Sequence, residues 1–285
     1  MSAFIQLVAG TCETALIYSL VACGFYFAST ATRHFCFVAA VPFVIVPLGV
    51  SLCSDGPVRV LGAFASFGAC ALLALLYKNL SATLSSHGAR EGQLLILSLA
   101  GMTAIENVIT ALYGSASRTL WLPQGPTFTS GISMQQIAVI LLALASVGAI
   151  VTVWHRALFG KVMRALVESR LNLSLRGFPV PTIEAFAAVV GFLCIGLGGL
   201  FWALDGRIKP SMTTEVAIIG AVTLIVSTMI DVGLLGLIAT AVTLAVVRTF
   251  LSLTLEGDWS MTAMLVLLCI AAIASRRRLR GVGAL

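Results

Sequence analysis

Long apolar runs alternate with short polar stretches along the whole chain. A hydrocarbon core of about 30 Å takes about 20 helical residues at 1.5 Å each. Runs of that size fall approximately at residues 10–30, 35–53, 58–77, 91–113, 134–154, 182–204, 213–229, 231–252 and 260–275. Between the seventh and eighth, Asp231 is the only strongly polar break, so the pattern predicts about 8–9 transmembrane helices. Pro42, Pro47 and the pair Gly198 and Gly199 lie inside runs, which membrane helices tolerate because neighbouring helices satisfy the freed backbone groups. The expected fold class is therefore all-α, a polytopic integral membrane protein with one transmembrane domain over residues 1–285.

Composition removes the alternatives. Of 285 residues, 59% are hydrophobic and 10% charged, against about 25% charged in an ordinary soluble domain. A soluble globule could not cover that much apolar side chain, and disorder requires the opposite bias. The seven cysteines form no CxxC and mostly sit in apolar runs, so they read as small buried hydrophobes. No Lys or Arg precedes the first apolar run, so no cleaved signal peptide is expected.

The net charge of +6 reports orientation rather than a nucleic-acid partner, because Lys and Arg are retained on the cytoplasmic side. With the run SRRRLR (275–280) inside and nine alternating spans, the inner side receives twelve basic residues. The outer side receives four: Arg59, Arg118, Arg207 and Lys209. This predicts an outside N-terminus and a cytoplasmic C-terminus. Trp121, Trp154, Trp202 and Trp259 fall at predicted span ends, where the indole suits the headgroup belt.

One connection is unlike the rest. The cytoplasmic segment 155–181, HRALFGKVMRALVESRLNLSLRGFPVP, carries five basic residues between Arg156 and Arg176 and scans as a helix over 157–176. Leu158, Val162, Leu166 and Leu173 can share one face, with Lys161, Arg164, Glu168 and Arg176 pointing elsewhere. Gly177 is suited to end the helix, and Pro179 and Pro181 prevent its resumption. By physics alone this is either a basic helix lying on anionic lipid or a docking element for a cytoplasmic partner.

Gly160, Arg164, Ala165 and Gly177, in the spacing G-x3-R-A-x11-G, resemble the cytoplasmic coupling loop of branched-chain amino acid ABC permeases. Three stretches extend the likeness in the same order. ALIYSLVACGFYF (15–27) resembles that family's first helix. LILSLAGMTAIENVITALYG (95–114) resembles its helix ending in an acid or amide, Asn, then an aromatic-Gly pair, here Glu106, Asn107, Tyr113 and Gly114. AFAAVVGFLCIGLGGLFWALDGRIKPSM (185–212) resembles its glycine-rich helix followed by Pro-x-Met. The likeness covers roughly residues 10–280. It departs at RHFCFVAA (33–40), where the family carries a Phe-Ala-(His or Gln)-Gly run, and at VTLIVSTMIDVGLLG (222–236), where it carries a Gly-Gly-x-Gly cluster.

The resemblance implies a single permease domain in a bacterial plasma (inner) membrane, one subunit of an ATP-binding-cassette importer for branched-chain or other small amino acids. It implies two partner ATPases that bind ATP and Mg, a second permease subunit of a different chain, and an extracytoplasmic solute-binding protein. Gly160, Lys161, Arg164, Ala165, Glu168, Arg176 and Gly177 would then form the ATPase-coupling element. This chain would bind no cofactor itself. It carries no Walker A loop, H-E-x-x-H, G-x-S-x-G or paired carboxylates, so neither a catalytic site nor a metal site is expected. The competing expectation is a secondary transporter or channel, although the matched internal repeats usual there are not evident.

Charges near a bilayer midplane cost roughly 2.5–3.5 kcal/mol each, so they tend to face a cavity or partner. Glu106 and Asn107 are the candidates for the solute path, the alternative being an interhelical hydrogen bond that fixes packing. Asp231 reads as a turn residue, Glu13 as an exposed end residue, and Arg248 as a side chain reaching outward from the end of its span.

Overall fold

The computed structural model describes residues 2–53, 56–120, 133–230, 233–254 and 266. Among the described residues ten α-helices follow one another: α1 (Ser2–Thr32), α2 (Pro42–Ser51), α3 (Gly56–Ser86), α4 (Glu91–Tyr113), α5 (Met134–Arg156), α6 (Leu158–Glu168), α7 (Arg170–Leu175), α8 (Val180–Asp205), α9 (Met212–Ile230) and α10 (Gly233–Thr254). Six of them are long and apolar enough to cross a membrane. Two shorter apolar stretches, Phe37–Ser51 and Met212–Ser227, accompany them. The fold class is the expected all-helical, polytopic one. The pattern at 213–252 resolves into two helices, α9 and α10, while Asp231 and the ninth run at 260–275 lie outside the described residues.

The run at 35–53 is not the regular span that its hydropathy suggests. A 3-10 turn at Phe37–Ala40 leads into the ten-residue α2, with Pro42 in its first turn and Pro47 inside it. Fifteen helical residues reach about 22 Å at 1.5 Å each, short of the hydrocarbon thickness. The element is instead enclosed: Phe43, Val44, Val46, Leu48 and Val50 are buried against α3, α8 and α9. Hydropathy cannot separate a lipid-facing span from a helix buried in protein, because both are apolar all round.

α1 and α8 form the core. In their most apolar windows 56% and 61% of the residues are buried, against 22% in α3, α4 and α5, so the last three leave most of their apolar surface to lipid or another subunit. Lipid supplies no hydrophobic drive for helices to pair, so pairing depends on close packing, which small residues permit. A Cβ on Gly24 would stand 2.6 Å from the Gly191 carbonyl oxygen. One on Gly191 would stand 2.6 Å from the Gly24 carbonyl oxygen and 2.8 Å from the Ala28 nitrogen. The backbones of α1 and α8 therefore meet directly at a mutual glycine contact. Ten to twelve ångströms along α8, Gly199 lies against α2 in the same way, where a Cβ would fall 2.0 Å from the Phe43 carbonyl oxygen. α10 and α9 pack on further sides of α1, and α5 runs along it from Glu13 to Tyr26 and Phe27.

Two single-residue expectations change in this packing, and the cysteines divide. Glu13 is buried, with the Gln136 amide donating to its Oε2 at 3.3 Å, because α5 covers the face of α1 that a free first turn would expose. Trp154 is only 5% exposed and packs edge-on to Tyr26 and against Phe27, so it is a core residue and not a headgroup anchor. Among the cysteines, Cys23, Cys36, Cys70 and Cys194 are buried as expected, Cys53 is half-buried and Cys12 is exposed.

Candidate functional site

The segment 155–181 folds as two helices that turn back onto the bundle, not as the single helix over 157–176 that its periodicity suggests. After α5 the chain reverses at Ala157 (φ −78°, ψ 153°), and α6 returns so tightly that a Cβ on Gly160 would lie 2.0 Å from the Trp154 carbonyl oxygen. Only glycine fits that corner. At Ser169 the backbone becomes extended (φ −160°, ψ 105°) and the helix breaks. The Ser169 hydroxyl then accepts from the Asn172 N–H at 3.3 Å and starts α7, the capping role in which serine outcompetes a continuing helix. α7 ends on Gly177 at φ +80°. The Phe178 N–H donates to the Leu173 carbonyl and the Gly177 N–H to the Ser174 carbonyl, the Schellman pattern, so Gly177 does end the helix as the sequence suggests.

The break rotates the buried face. Gly160, Met163, Leu166 and Leu173 point into the core, with Val162 and Ala165 partly covered, whereas Leu158 is 79% exposed and leaves the predicted stripe. Phe159 anchors the corner, 5.0 Å edge-on from Phe186 of α8 and 6.4 Å from Phe27 of α1. Lys161, Glu168 and Arg176 are exposed and Arg164 half-buried, so a basic outer surface lies on an apolar inner one. No ion pair joins Arg164 to Glu168. Replacing Gly177 with Ala is expected to cost about 1 kcal/mol, from the left-handed backbone. It should read out as faster amide exchange confined to residues 169–178.

Sequence reasoning missed the residue that locks this element down. Arg170 donates both to the Glu184 carboxylate on the first turns of α8 and to the Thr30 carbonyl at the end of α1. Glu184 is buried, and Arg33 stands 3.5 Å from the same oxygen. Burial lowers the Arg170 pKa from its ordinary value, and the Glu184 carboxylate opposes that shift. One guanidinium thus ties α7 to the last turn of α1 and the first turns of α8. Nothing local in the sequence marks it, since Arg170 and Glu184 are 14 residues apart with two prolines between.

The two residues proposed for a solute path separate in the structure. Glu106 turns toward α9 and accepts from the Thr214 hydroxyl at 3.0 Å, while Asn107, one residue on, is exposed. The strongest polar constellation within the spans is elsewhere. Arg248 of α10 does not reach outward: it pairs with Glu215 of α9 and lies over two rings, 5.6 Å from the centre of Tyr18 and 5.9 Å from that of Trp202. Phe43, Met212, Val216 and Ile219 complete the walls of a narrow cleft there. Tyr18 also lines this cleft, is 3% exposed, and its hydroxyl has no hydrogen-bond partner among the described residues. Five helices converge on one cation, one carboxylate and one hydroxyl around a space of about 10 Å³, room for one ordered water. The glycine crossing of α1 and α8 lies between this cluster and Arg170: Gly24 is six residues, about 9 Å, from Tyr18 and six from Thr30.

Among the described residues no group of histidine, cysteine and carboxylate side chains could hold a metal ion. No family model matches the chain, and no curated protein matches it in sequence. In structure it is similar to a chain of PsaBC from Streptococcus pneumoniae, solved in complex with Fab, at a TM-score of 0.51 and 13% identity. The match covers 94% of this chain and 90% of that one. At that identity the likeness is one of fold alone, shared over nearly the whole chain.

Proposed function

We propose that the chain is the transmembrane permease subunit of an ATP-binding-cassette importer, carrying branched-chain or other small amino acids across a bacterial plasma membrane. The observation that carries this reading is the α6–α7 element. It presents basic, exposed side chains outward, and inward it is bonded to the ends of the two core helices through Arg170 and the Phe159 corner. A cytoplasmic ATPase seated on it would push directly on α1 and α8. Those helices run uninterrupted to the Arg248–Glu215 cluster, so a rigid-body shift at one end alters the cleft at the other. The likeness of fold and the G-x3-R-A-x11-G spacing support the same reading.

In this scheme two partner ATPases bind ATP and Mg, and this chain performs no chemistry. A second permease covers part of the apolar surface left open on α3, α4 and α5. An extracytoplasmic binding protein delivers solute to the outer side, where the basic-residue count places the N-terminus. At about 10 Å³ the cleft admits no more than one water as it stands, so an amino acid would exchange its carboxylate and ammonium with the Arg248–Glu215 pair only once the helices part.

The test is affinity purification from native membranes in mild detergent, with the co-purifying proteins identified by mass spectrometry. A stoichiometric ATPase and a second permease are expected. A chain that purifies alone at every salt concentration points to an ATP-independent transporter or channel and overturns the proposal. Arg164→Glu, which reverses a charge on the outer face of α6, is expected to abolish uptake and ATPase co-purification while leaving membrane insertion intact. Normal uptake by that variant excludes α6 as the coupling surface.

A further inference from the structure

We propose that a basic cavity beside the end of α1 is a binding site for a phosphate group, with the headgroup of an anionic phospholipid as its favoured source. The cavity occupies about 270 Å³ between the last turn of α1, the polar end of α3 and the start of α8. Lys78 lies in its wall and is 7% exposed. Its ammonium gives one proton to the Pro181 carbonyl at 2.8 Å, which leaves two of its three donors for a ligand. Arg33 stands across the cavity, held there by a left-handed backbone (φ +69°) that places the guanidinium beside the helix end instead of continuing α1. Ser85, exposed on the same end of α3, adds a hydroxyl to the lining.

One carboxylate, that of Glu184, also lines the cavity. Arg170 takes it up from the far side, and Arg33 stands 3.5 Å from the same oxygen, so the cavity keeps an excess of positive charge and of hydrogen-bond donors. Phosphate oxygens, which only accept, are the complement of that donor set.

The source follows from the position. α3 presents Leu72, Leu76 and Leu80 outward, 60%, 59% and 48% exposed, and turns polar at Ser81. The cavity therefore opens where a lipid-facing helix reaches the headgroup layer. By the count of basic residues this is the cytoplasmic leaflet, where anionic lipid gathers at basic pockets between spans. The inference stands on this geometry and does not depend on the importer reading.

The full-length chain, purified in neutral detergent, is titrated with phosphatidylglycerol, with phosphatidylcholine of the same acyl chains, or with sodium phosphate. Thermal unfolding and native mass spectrometry provide the readouts. Phosphatidylglycerol is expected to raise Tm saturably and to remain bound as one molecule per chain, whereas phosphatidylcholine does neither. Arg33→Gln is expected to weaken this binding about fivefold, the effect of one basic residue near a membrane surface, and Ser85→Ala to weaken it less. Arg156→Gln, an exposed charge on the same side, leaves it unchanged. If Lys78→Gln also loses the fold through its Pro181 contact, Arg33→Gln alone decides. A saturable effect of sodium phosphate that Arg33→Gln removes assigns the same site to free phosphate. Equal binding of the two lipids, wild-type affinity in Arg33→Gln, or an equal loss in Arg156→Gln overturns the proposal.

Discussion

Gly191→Leu is expected to abolish a folded chain, and Gly191→Ala to cost about 1–3 kcal/mol, the usual penalty for overpacking a tight contact. A Cβ at this position meets the Gly24 carbonyl oxygen at 2.6 Å and the Ala28 nitrogen at 2.8 Å, and backbone atoms cannot move away as a side-chain tip can. The larger residue must drive α1 and α8 apart. That would also separate Tyr18 from Trp202 and Thr30 from Glu184, so both the cleft and the Arg170 latch depend on this contact. The check is the monodisperse peak of a fluorescent fusion in mild detergent. A wild-type yield for Gly191→Leu would show that the crossing tolerates separation.

Arg248→Met takes the guanidinium partner from the Glu215 carboxylate, and the expected loss is about 2–3 kcal/mol, the scale set by placing a charge at depth. Glu215→Met strands Arg248 in the same way, although the faces of Tyr18 and Trp202 retain part of its stabilisation. The double variant Arg248→Met/Glu215→Met is expected to recover most of the loss, because replacing both partners of a buried pair by apolar side chains is close to neutral. Solute uptake should fall in all three variants. A double-mutant cycle on unfolding in detergent checks the energetics, and additive losses would mean that the two charges are stabilised by groups other than each other.

The site was only partly legible before the fold was known. Gly160, Ala165 and Gly177 were singled out by spacing, and the structure supplies reasons at two of them: a corner that admits no Cβ and a left-handed cap. Arg164 and Lys161 do face outward, as a helical period requires. The error over 157–176 was to read one period through Ser169, whose side chain caps a new helix and shifts the register. Arg248 departs from its sequence pattern for another reason. An arginine near a span end satisfies the rule for snorkelling, and only the position of α9, carrying Glu215 alongside, turns it inward.

Membrane insertion, the all-helical class, the positions of most spans and the basic mid-chain segment follow from the sequence alone. They depend on length and transfer free energy, which add up residue by residue along the chain. Tertiary structure alone decided that α1 and α8 form the core, that the apolar run at 35–53 is a buried short helix, and that Arg170, Glu184 and Thr30 meet. Lipid is as apolar as a leucine side chain, so hydropathy cannot say which apolar face meets another helix. That choice is made by shape, through glycines that let two backbones touch, and by charges that find each other across many residues of intervening chain.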